Sequence, residues 1–180
     1  MGNTISLKNK IFYIFILCLA VFIAADDQTV VVTLLPSMVL DLGISVGELN
    51  KISWTITSYL LGFTLVMPLA GKLCDKFGYR LVLIFSMIIF CIGSLLIGIT
   101  VNLPESNYLP SKLNWLIVFR FFQAMGGGAI IPIAIASVSL ILEKKYWIYG
   151  FGLIGASAEA GGVIGPLWGS LIPVSYTHLT

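Results

Sequence analysis

Long apolar runs alternate with short polar segments along this chain. Residues 52–70 and 81–101 carry no charged side chain, and the segment between them, 71–80, is a short charged island. Each run is close to the ~20 apolar residues that a helix needs to cross a hydrocarbon core of ~30 Å. A helix satisfies its own backbone polar groups without water. The pattern therefore predicts an all-α membrane protein in which the island is a tight hairpin loop.

The same pattern predicts five transmembrane helices, separated by polar loops at 37–51, 71–80, 102–114 and 143–145. The first apolar run could also be a cleaved signal peptide, because it follows lysines and ends in Ala24 and Ala25. We favour a single span, because Phe22 or Ile23 fills the position where a small residue is wanted and because apolar character resumes at 30–35. The approximate spans are 11–36, 52–73, 81–101, 113–142 and 147–172.

Composition changes the expected class of protein from a soluble domain to a membrane protein. The chain of 180 residues is 58% hydrophobic and 10% charged, with a mean hydropathy of +1.03 and a net charge of +2. So small a net charge gives no reason to expect nucleic acid as a partner. The three cysteines, Cys18, Cys74 and Cys91, lack metal-ligand spacing, and there is one histidine. We therefore expect no metal, no cofactor and no enzymatic activity.

The distribution of basic residues predicts the orientation of the spans. With the island on the inner side, seven of the ten Lys and Arg residues lie inside, whereas Lys51 and Lys112 lie outside and Arg120 falls within a span. Cytoplasmic loops carry an excess of Lys and Arg, so the amino terminus is expected in the cytoplasm. The seven inner residues are Lys8, Lys10, Lys72, Lys76, Arg80, Lys144 and Lys145.

Four ionisable residues fall inside predicted spans: Asp26, Asp27, Arg120 and Glu159. Each costs at least ~2.5 kcal/mol at the bilayer centre, so such residues usually mark transport pathways or proton relays. With a rise of ~1.5 Å per residue, Asp27 lies ~13 Å and Arg120 ~10 Å below the outer ends of their spans. They can therefore share a depth and attract each other. A structural ion pair between helices is the alternative.

The fifth span combines a carboxylate with a row of small residues. Glu159 lies ~18 Å from the inner end, near the midplane, and we expect it to be buried among alanines, where it could carry a proton. The alternative is a carboxylate that a neighbouring helix satisfies. Gly161, Gly165 and Gly169 recur every four residues and form one smooth face for the close approach of another helix, and Pro166 bends the span there. A generic packing stripe is the alternative for this glycine face.

Five segments, in order, resemble the major facilitator superfamily, specifically its drug:proton antiporter branch with fourteen spans. The chain departs from the branch's patterns in residues 32–34, where Val32 stands for an Asn, and at Ala124 and Ser170, which each stand for a Gly. The resemblance covers residues 27–170. Its segments are D-Q-T-V-V-V-T-L-L-P at 27–36, W-T-I-T-S-Y-L at 54–60, G-K-L-C-D-K-F-G-Y-R at 71–80, R-F-F-Q-A-M-G at 120–126 and G-G-V-I-G-P-L-W-G-S at 161–170.

The resemblance implies a fold built from helix triplets related by inverted repeats, and a role for each matching residue. Asp27 would line the central cavity and Arg120 would take part in proton coupling, with Trp54, Tyr59 and Gln123 as candidate substrate-cavity residues. The third and fifth matching segments would carry structural roles. The island would form a cytoplasmic latch through Gly71, Asp75, Gly78 and Arg80, and the fifth span would pack against the second half of the transporter through Gly161, Gly165, Pro166 and Gly169.

The implied function is proton-coupled efflux of drugs or other amphipathic small molecules across the cytoplasmic membrane. Its partners would be a small-molecule substrate, protons, the lipid bilayer and the remainder of a longer transporter. An exporter of a specific metabolite, or a membrane scaffold or sensor that does not transport, are the alternatives. We interpret residues 1–173 as a truncated amino-terminal transporter domain. Residues 174–180 resemble translated sequencing-adapter read-through and are expected to be non-native.

Overall fold

The computed structural model describes residues 6–41, 49–101 and 112–177, with side chains at 6–34, 50, 52–100 and 112–170. Five of its helices are long and apolar enough to cross a membrane, which confirms the predicted all-α membrane fold. A short 3₁₀ turn, Lys144–Tyr146, precedes the last helix. The helices are α1 (Leu7–Asp41), α2 (Leu49–Phe77), α3 (Tyr79–Val101), α4 (Lys112–Ile141) and α5 (Trp147–Thr177).

The charged island is helical, so the prediction of a ten-residue hairpin loop was wrong. α2 continues through Phe77 and α3 begins at Tyr79, so Gly78 alone separates them. Its φ of 85° is a left-handed conformation that side chains disfavour and glycine tolerates. Its N–H donates to the carbonyl oxygen of Cys74 at 2.8 Å and closes the last turn of α2. Lys and Leu are good helix formers, so the island extends both helices.

The other predicted loops are shorter than expected or fall outside the described residues. α1 continues to Asp41 and α2 begins at Leu49, so only 42–48 of the predicted 37–51 loop is left, and it lies outside the described residues. The same holds for 102–111 of the predicted 102–114 loop. Residues 174–177 of the predicted non-native tail continue α5, and 178–180 lie outside the described part of the chain.

α4 lies at the centre of the bundle and contacts the four other helices. Its small residues allow two of them to come very close. A Cβ added at Gly126 would lie 2.5 Å from the backbone nitrogen of Phe90 in α3, and one added at Gly128 would lie 2.6 Å from the carbonyl oxygen of Phe63 in α2. An apolar core forms where α1 and α5 meet α4, and its buried residues are Leu17, Ala20, Val21, Ala24, Ile130, Ala134, Val138 and Ile154.

The glycine face of α5 packs against α1 in this chain, and its packing against a second half of the transporter stays a prediction. A Cβ added at Gly161 would collide with the carbonyl oxygen of Phe22, and one at Gly165 would lie 2.7 Å from the carbonyl oxygen of Asp26. The small residues do what the pattern predicted, because they allow two backbones to approach closely. Spacing reveals such a face but carries no information about which helix covers it. Pro166 lies half-buried within α5.

One end of the bundle collects the seven basic residues that the positive-inside pattern grouped together. A cleft of ≈ 260 Å³ is lined by Tyr13 at the start of α1, Arg80 at the start of α3 and Ile141 at the end of α4. These three helix ends therefore lie at the same end of the bundle. The end of α2 and the start of α5 join them through short connections, so all seven basic residues share that end.

Candidate functional site

A buried ion pair joins α1 to α4, so Asp27 and Arg120 lie at the same level of the bundle, as expected. The guanidinium Nη1 of Arg120 lies 2.9 Å from Oδ2 of Asp27, and the two side chains are 4% and 21% exposed. Nη2 of Arg120 also donates to the carbonyl oxygen of Asp27 at 3.5 Å. Away from water, the charges stabilise each other, and removing one partner typically costs about 3–5 kcal/mol. The pairing considered from the sequence is therefore present.

Gln123 connects this ion pair to α3. Its Oε1 accepts a hydrogen bond from Nη1 of Arg120 at 2.6 Å. Its Nε2 donates to Oδ1 of Asp27 at 2.9 Å and to Oγ of Ser94 at 2.7 Å. The amide is fully buried, with 1% of Gln123 exposed. Three helices thus meet through the side chain of Gln123.

Tyr59 of α2 completes the cluster with its ring. The guanidinium carbon of Arg120 lies 4.8 Å from the ring centroid, a favourable arrangement for a cation and an aromatic ring. Phe63 stacks on the same ring at a centroid distance of 5.9 Å. The buried hydroxyl of Tyr59 has no hydrogen-bond partner among the side chains and backbone that the structure describes. We call Asp27, Tyr59, Ser94, Arg120 and Gln123 the polar cluster.

The polar cluster has the chemistry of a site that can bind and release a proton. Asp27 is its one carboxylate, and Arg120 supplies a positive charge that remains when Asp27 is protonated. Protonation would remove the anionic partner of Arg120 and leave a buried cation, which is a large change in electrostatic energy inside a membrane. A proton gained by Asp27 would therefore weaken the electrostatic link between α1 and α4.

Two of the predicted site residues lie away from the cluster. Trp54 is 57% exposed on the outer surface of α2. Glu159 is exposed on α5, so the expectation that it is buried was wrong for this chain. The reason is helical geometry: Glu159 precedes Gly161 by two residues, or about 200° around the helix, and Gly161 faces α1. Any role of Glu159 in proton coupling stays a prediction.

The residues predicted to form a cytoplasmic latch are exposed at the basic end of the bundle. Gly71, Asp75, Gly78 and Arg80 all have exposed positions. Neither Asp75 nor Arg80 forms an ion pair with another residue in the described parts of the chain. Their role as a latch stays a prediction. Within the same parts of the chain, no group of three or more potential metal ligands occurs.

Ser94 is the member of the cluster that sequence reasoning missed. It follows Gly93 in the middle of an otherwise apolar span. A Cβ added at Gly93 would lie 2.7 Å from Cα of Gln123, so glycine is what allows α3 to approach α4 there. A small residue followed by a hydroxyl inside an apolar run was the signal that could have marked this position.

The chain belongs to the Major Facilitator Superfamily, whose family model matches residues 17–177. Membership makes it a multi-pass protein of the cell membrane. It is 35% identical over 154 residues to "Probable triacylglyceride transporter" of Mycobacterium bovis strain BCG / Pasteur 1173P2, covering 86% of this chain and 28% of that protein. It is 31% identical over 170 residues to "Triacylglyceride transporter" of Mycobacteroides abscessus, covering 94% and 31%.

A relative with a different printed name is about as similar. The chain is 34% identical over 156 residues to "Multidrug resistance protein 3" of Bacillus subtilis strain 168, covering 87% of this chain and 28% of that protein. The chain thus spans less than a third of the length of these relatives. Two of these three names thus give a triacylglyceride transporter, and the third gives a multidrug resistance protein.

Proposed function

We propose that this chain is the amino-terminal part of a transporter that exports amphipathic small molecules in exchange for protons, in the antiporter branch with fourteen spans. The buried pair of Asp27 and Arg120 carries this proposal, because a carboxylate and a guanidinium 2.9 Å apart respond strongly to the gain of a single proton. A scaffold or sensor has no need of such a pair within a membrane span.

In the proposed cycle, a proton that enters from outside binds Asp27 and breaks its ion pair with Arg120. Arg120 stays charged and keeps the Tyr59 ring and the Gln123 amide as its remaining partners. The loss of the anionic contact loosens α1 from α4 and favours the other orientation of the transporter. A substrate that binds from the cytoplasm would reverse the change by displacing the proton, which leaves Asp27 ionised again.

The proposed substrates are apolar or amphipathic, and the relatives favour two candidates. One printed name gives drugs and two give triacylglycerides. A neutral lipid requires no charge at its site, whereas a cationic drug would compete with Arg120 for Asp27. The Asp27 carboxylate favours the cationic drug because it attracts a positive charge. An exporter of a lipid is the second candidate.

We also propose that the basic end of the bundle lies in the cytoplasm. The seven Lys and Arg residues that share this end support that orientation. The test is Lys76→Cys in a background where Cys18, Cys74 and Cys91 are replaced. A membrane-impermeant maleimide should label this cysteine only after the cells are permeabilised. Labelling in intact cells would contradict the orientation.

The test of the function uses the complete transporter in proteoliposomes. An imposed gradient of ethidium, or of a fluorescent triacylglycerol, should drive proton movement that a pH-sensitive dye records inside the vesicles. Asp27→Asn keeps the shape of the side chain but cannot exchange a proton, so it should abolish this movement. Wild-type proton movement in Asp27→Asn would contradict the role of Asp27. No movement in the wild type with either substrate would contradict proton-coupled export.

A further inference from the structure

The hydrogen bonds of Gln123 can run in only one direction. The guanidinium of Arg120 has donors and no acceptor, so the amide oxygen of Gln123 must face it. Both N–H groups of the amide then point away, to Oδ1 of Asp27 at 2.9 Å and to Oγ of Ser94 at 2.7 Å. Arg120 therefore sets which way round this amide lies, and Ser94 of α3 holds the N–H side of the amide in place through one hydrogen bond.

This orientation makes the cluster fit the ionised form of Asp27 better than the protonated form. Its Oδ2 accepts from Arg120 and its Oδ1 accepts from Gln123. Each oxygen has a second lone pair that could take a proton, but a protonated carboxyl is a weaker acceptor than a carboxylate. Turning the amide of Gln123 over would place its N–H groups against Arg120 and lose the bond to its oxygen. The carboxylate form therefore accepts both hydrogen bonds strongly, and protonation weakens them.

Ser94 can reach the amide of Gln123 because α3 and α4 lie very close together at Gly93. A Cβ added at Gly93 would lie 2.6 Å from Cβ and 2.7 Å from Cα of Gln123. With no side chain at that position, the next residue, Ser94, reaches the amide. The hydrogen bond between its hydroxyl and Gln123 is the one that the described part of α3 makes to the other residues of the polar cluster.

We infer that Ser94 and Gln123 are positioning residues of the proton site. Ser94 holds the Gln123 amide so that it donates to Asp27, and protonation of Asp27 releases this amide and with it the link between α1 and α3. The inference rests on the proposed proton exchange at Asp27.

Among described residues, the ionisable groups that face Asp27 are Arg120 from α4 and the phenol of Tyr59 from α2. α3 contributes the neutral Ser94, Asp26 is a neighbour on α1, and Glu159 of α5 is exposed.

The test measures how proton-coupled ethidium efflux by the complete transporter depends on pH. In Ser94→Ala the amide loses one of its two fixed points and donates less well to Asp27, so the carboxylate form loses support. Asp27 then keeps its proton up to a higher pH, and the midpoint of the profile should rise by about half a pH unit, the size expected for one hydrogen bond. Ser94→Thr keeps the hydroxyl and should restore the wild-type midpoint.

Ser86→Ala is the matched control. Ser86 is buried in the same helix, but its hydroxyl donates to the carbonyl oxygen of Val82 in α3 itself at 2.8 Å. This variant should leave the midpoint unchanged, because it removes a hydroxyl without touching Gln123. A similar rise in Ser86→Ala would show that any loss of packing in α3 moves the profile, and it would overturn the inference.

Gln123→Met provides a second variant of similar length that lacks all three hydrogen bonds. It should raise the midpoint further than Ser94→Ala does, and it decides the matter if Ser94→Ala fails to accumulate. An unchanged midpoint in whichever of the two variants accumulates would overturn the positioning role. The two proposals fail differently: a wild type without any pH-dependent efflux contradicts the proposed function, whereas a normal wild-type profile with unshifted variants contradicts only this inference.

Discussion

α1 packs against two neighbours in two different ways. Toward α4 it presents Asp27, whose carboxylate forms a charged hydrogen-bond network with Arg120 and Gln123. Toward α5 it presents backbone carbonyl groups and Thr29, whose hydroxyl bonds to carbonyl oxygens of its own helix, at 3.3 Å to Ala25 and 3.2 Å to Asp26. The first contact depends on the charge of a single group, and the second depends on the absence of side chains on the partner helix.

The difference indicates which interface can switch. An ion pair has two states, because a proton added to Asp27 removes half of it. A close contact between two backbones has no such alternative and breaks only when the helices separate. We therefore expect α1 and α5 to move together as one body, while the contact between α1 and α4 changes during transport.

The largest expected effect comes from adding a side chain to the glycine face. Gly161→Leu should prevent α1 from packing on α5, because even a Cβ there collides with the carbonyl oxygen of Phe22. Overpacking of this kind costs about 1–3 kcal/mol and more for a large group. We expect a large fall in the unfolding temperature, measured by thermal unfolding of the detergent-solubilised protein.

Gly155→Leu is the control for this variant, since no heavy atom lies within 4 Å of a Cβ built there. It lies on the same helix and adds the same group, and it should leave the unfolding temperature close to that of the wild type. Equal losses of stability in the two variants would show that the close contact between α1 and α5 does not hold the helices together.

Variants of Arg120 should reduce transport, and Arg120→Ala should also lose stability because it leaves Asp27 without its charged partner. Arg120→Ala removes the only described cation of the cluster and should abolish proton-coupled efflux. Arg120→Lys keeps the charge but cannot bond Asp27 and Gln123 in the same fixed geometry. Losing one hydrogen bond to a charged group is expected to cost about tenfold in rate. Efflux rates in proteoliposomes should fall from the wild type to Arg120→Lys and then to Arg120→Ala. A lysine variant as inactive as the alanine variant would show that geometry rather than charge is essential.

Much of the fold was predictable, because each span is a long apolar run and backbone groups in a membrane must bond internally. The common level of Asp27 and Arg120 was also predictable, since it follows from counting residues along two helices. The helix that covers the glycine face was not predictable, because the spacing of the glycines is the same whether α1 or another helix lies there. Ser94 was missed because a lone serine in an apolar run is ordinary until the partner helix is known.

The smallest expected effect belongs to Glu159, which lies on neither interface of α1. Glu159→Gln removes a charge from an exposed position of α5, so folding should be unaffected. We still expect a shift of the pH optimum of transport, smaller than the effects at Asp27 and Arg120, because an ionisable group within a span is usually functional. A pH profile identical to that of the wild type would leave Glu159 without a part in proton coupling.

Proton release on substrate binding tests most directly whether the contact between α1 and α4 is the switch. The complete transporter, purified in detergent and held in weak buffer, is mixed with ethidium while a pH indicator records the protons set free. We expect the wild type to release protons, Glu159→Gln to release them as well, and Asp27→Asn to release none, because the Asp27 carboxylate is the group that the substrate deprotonates. Release of wild-type size from Asp27→Asn would contradict the account.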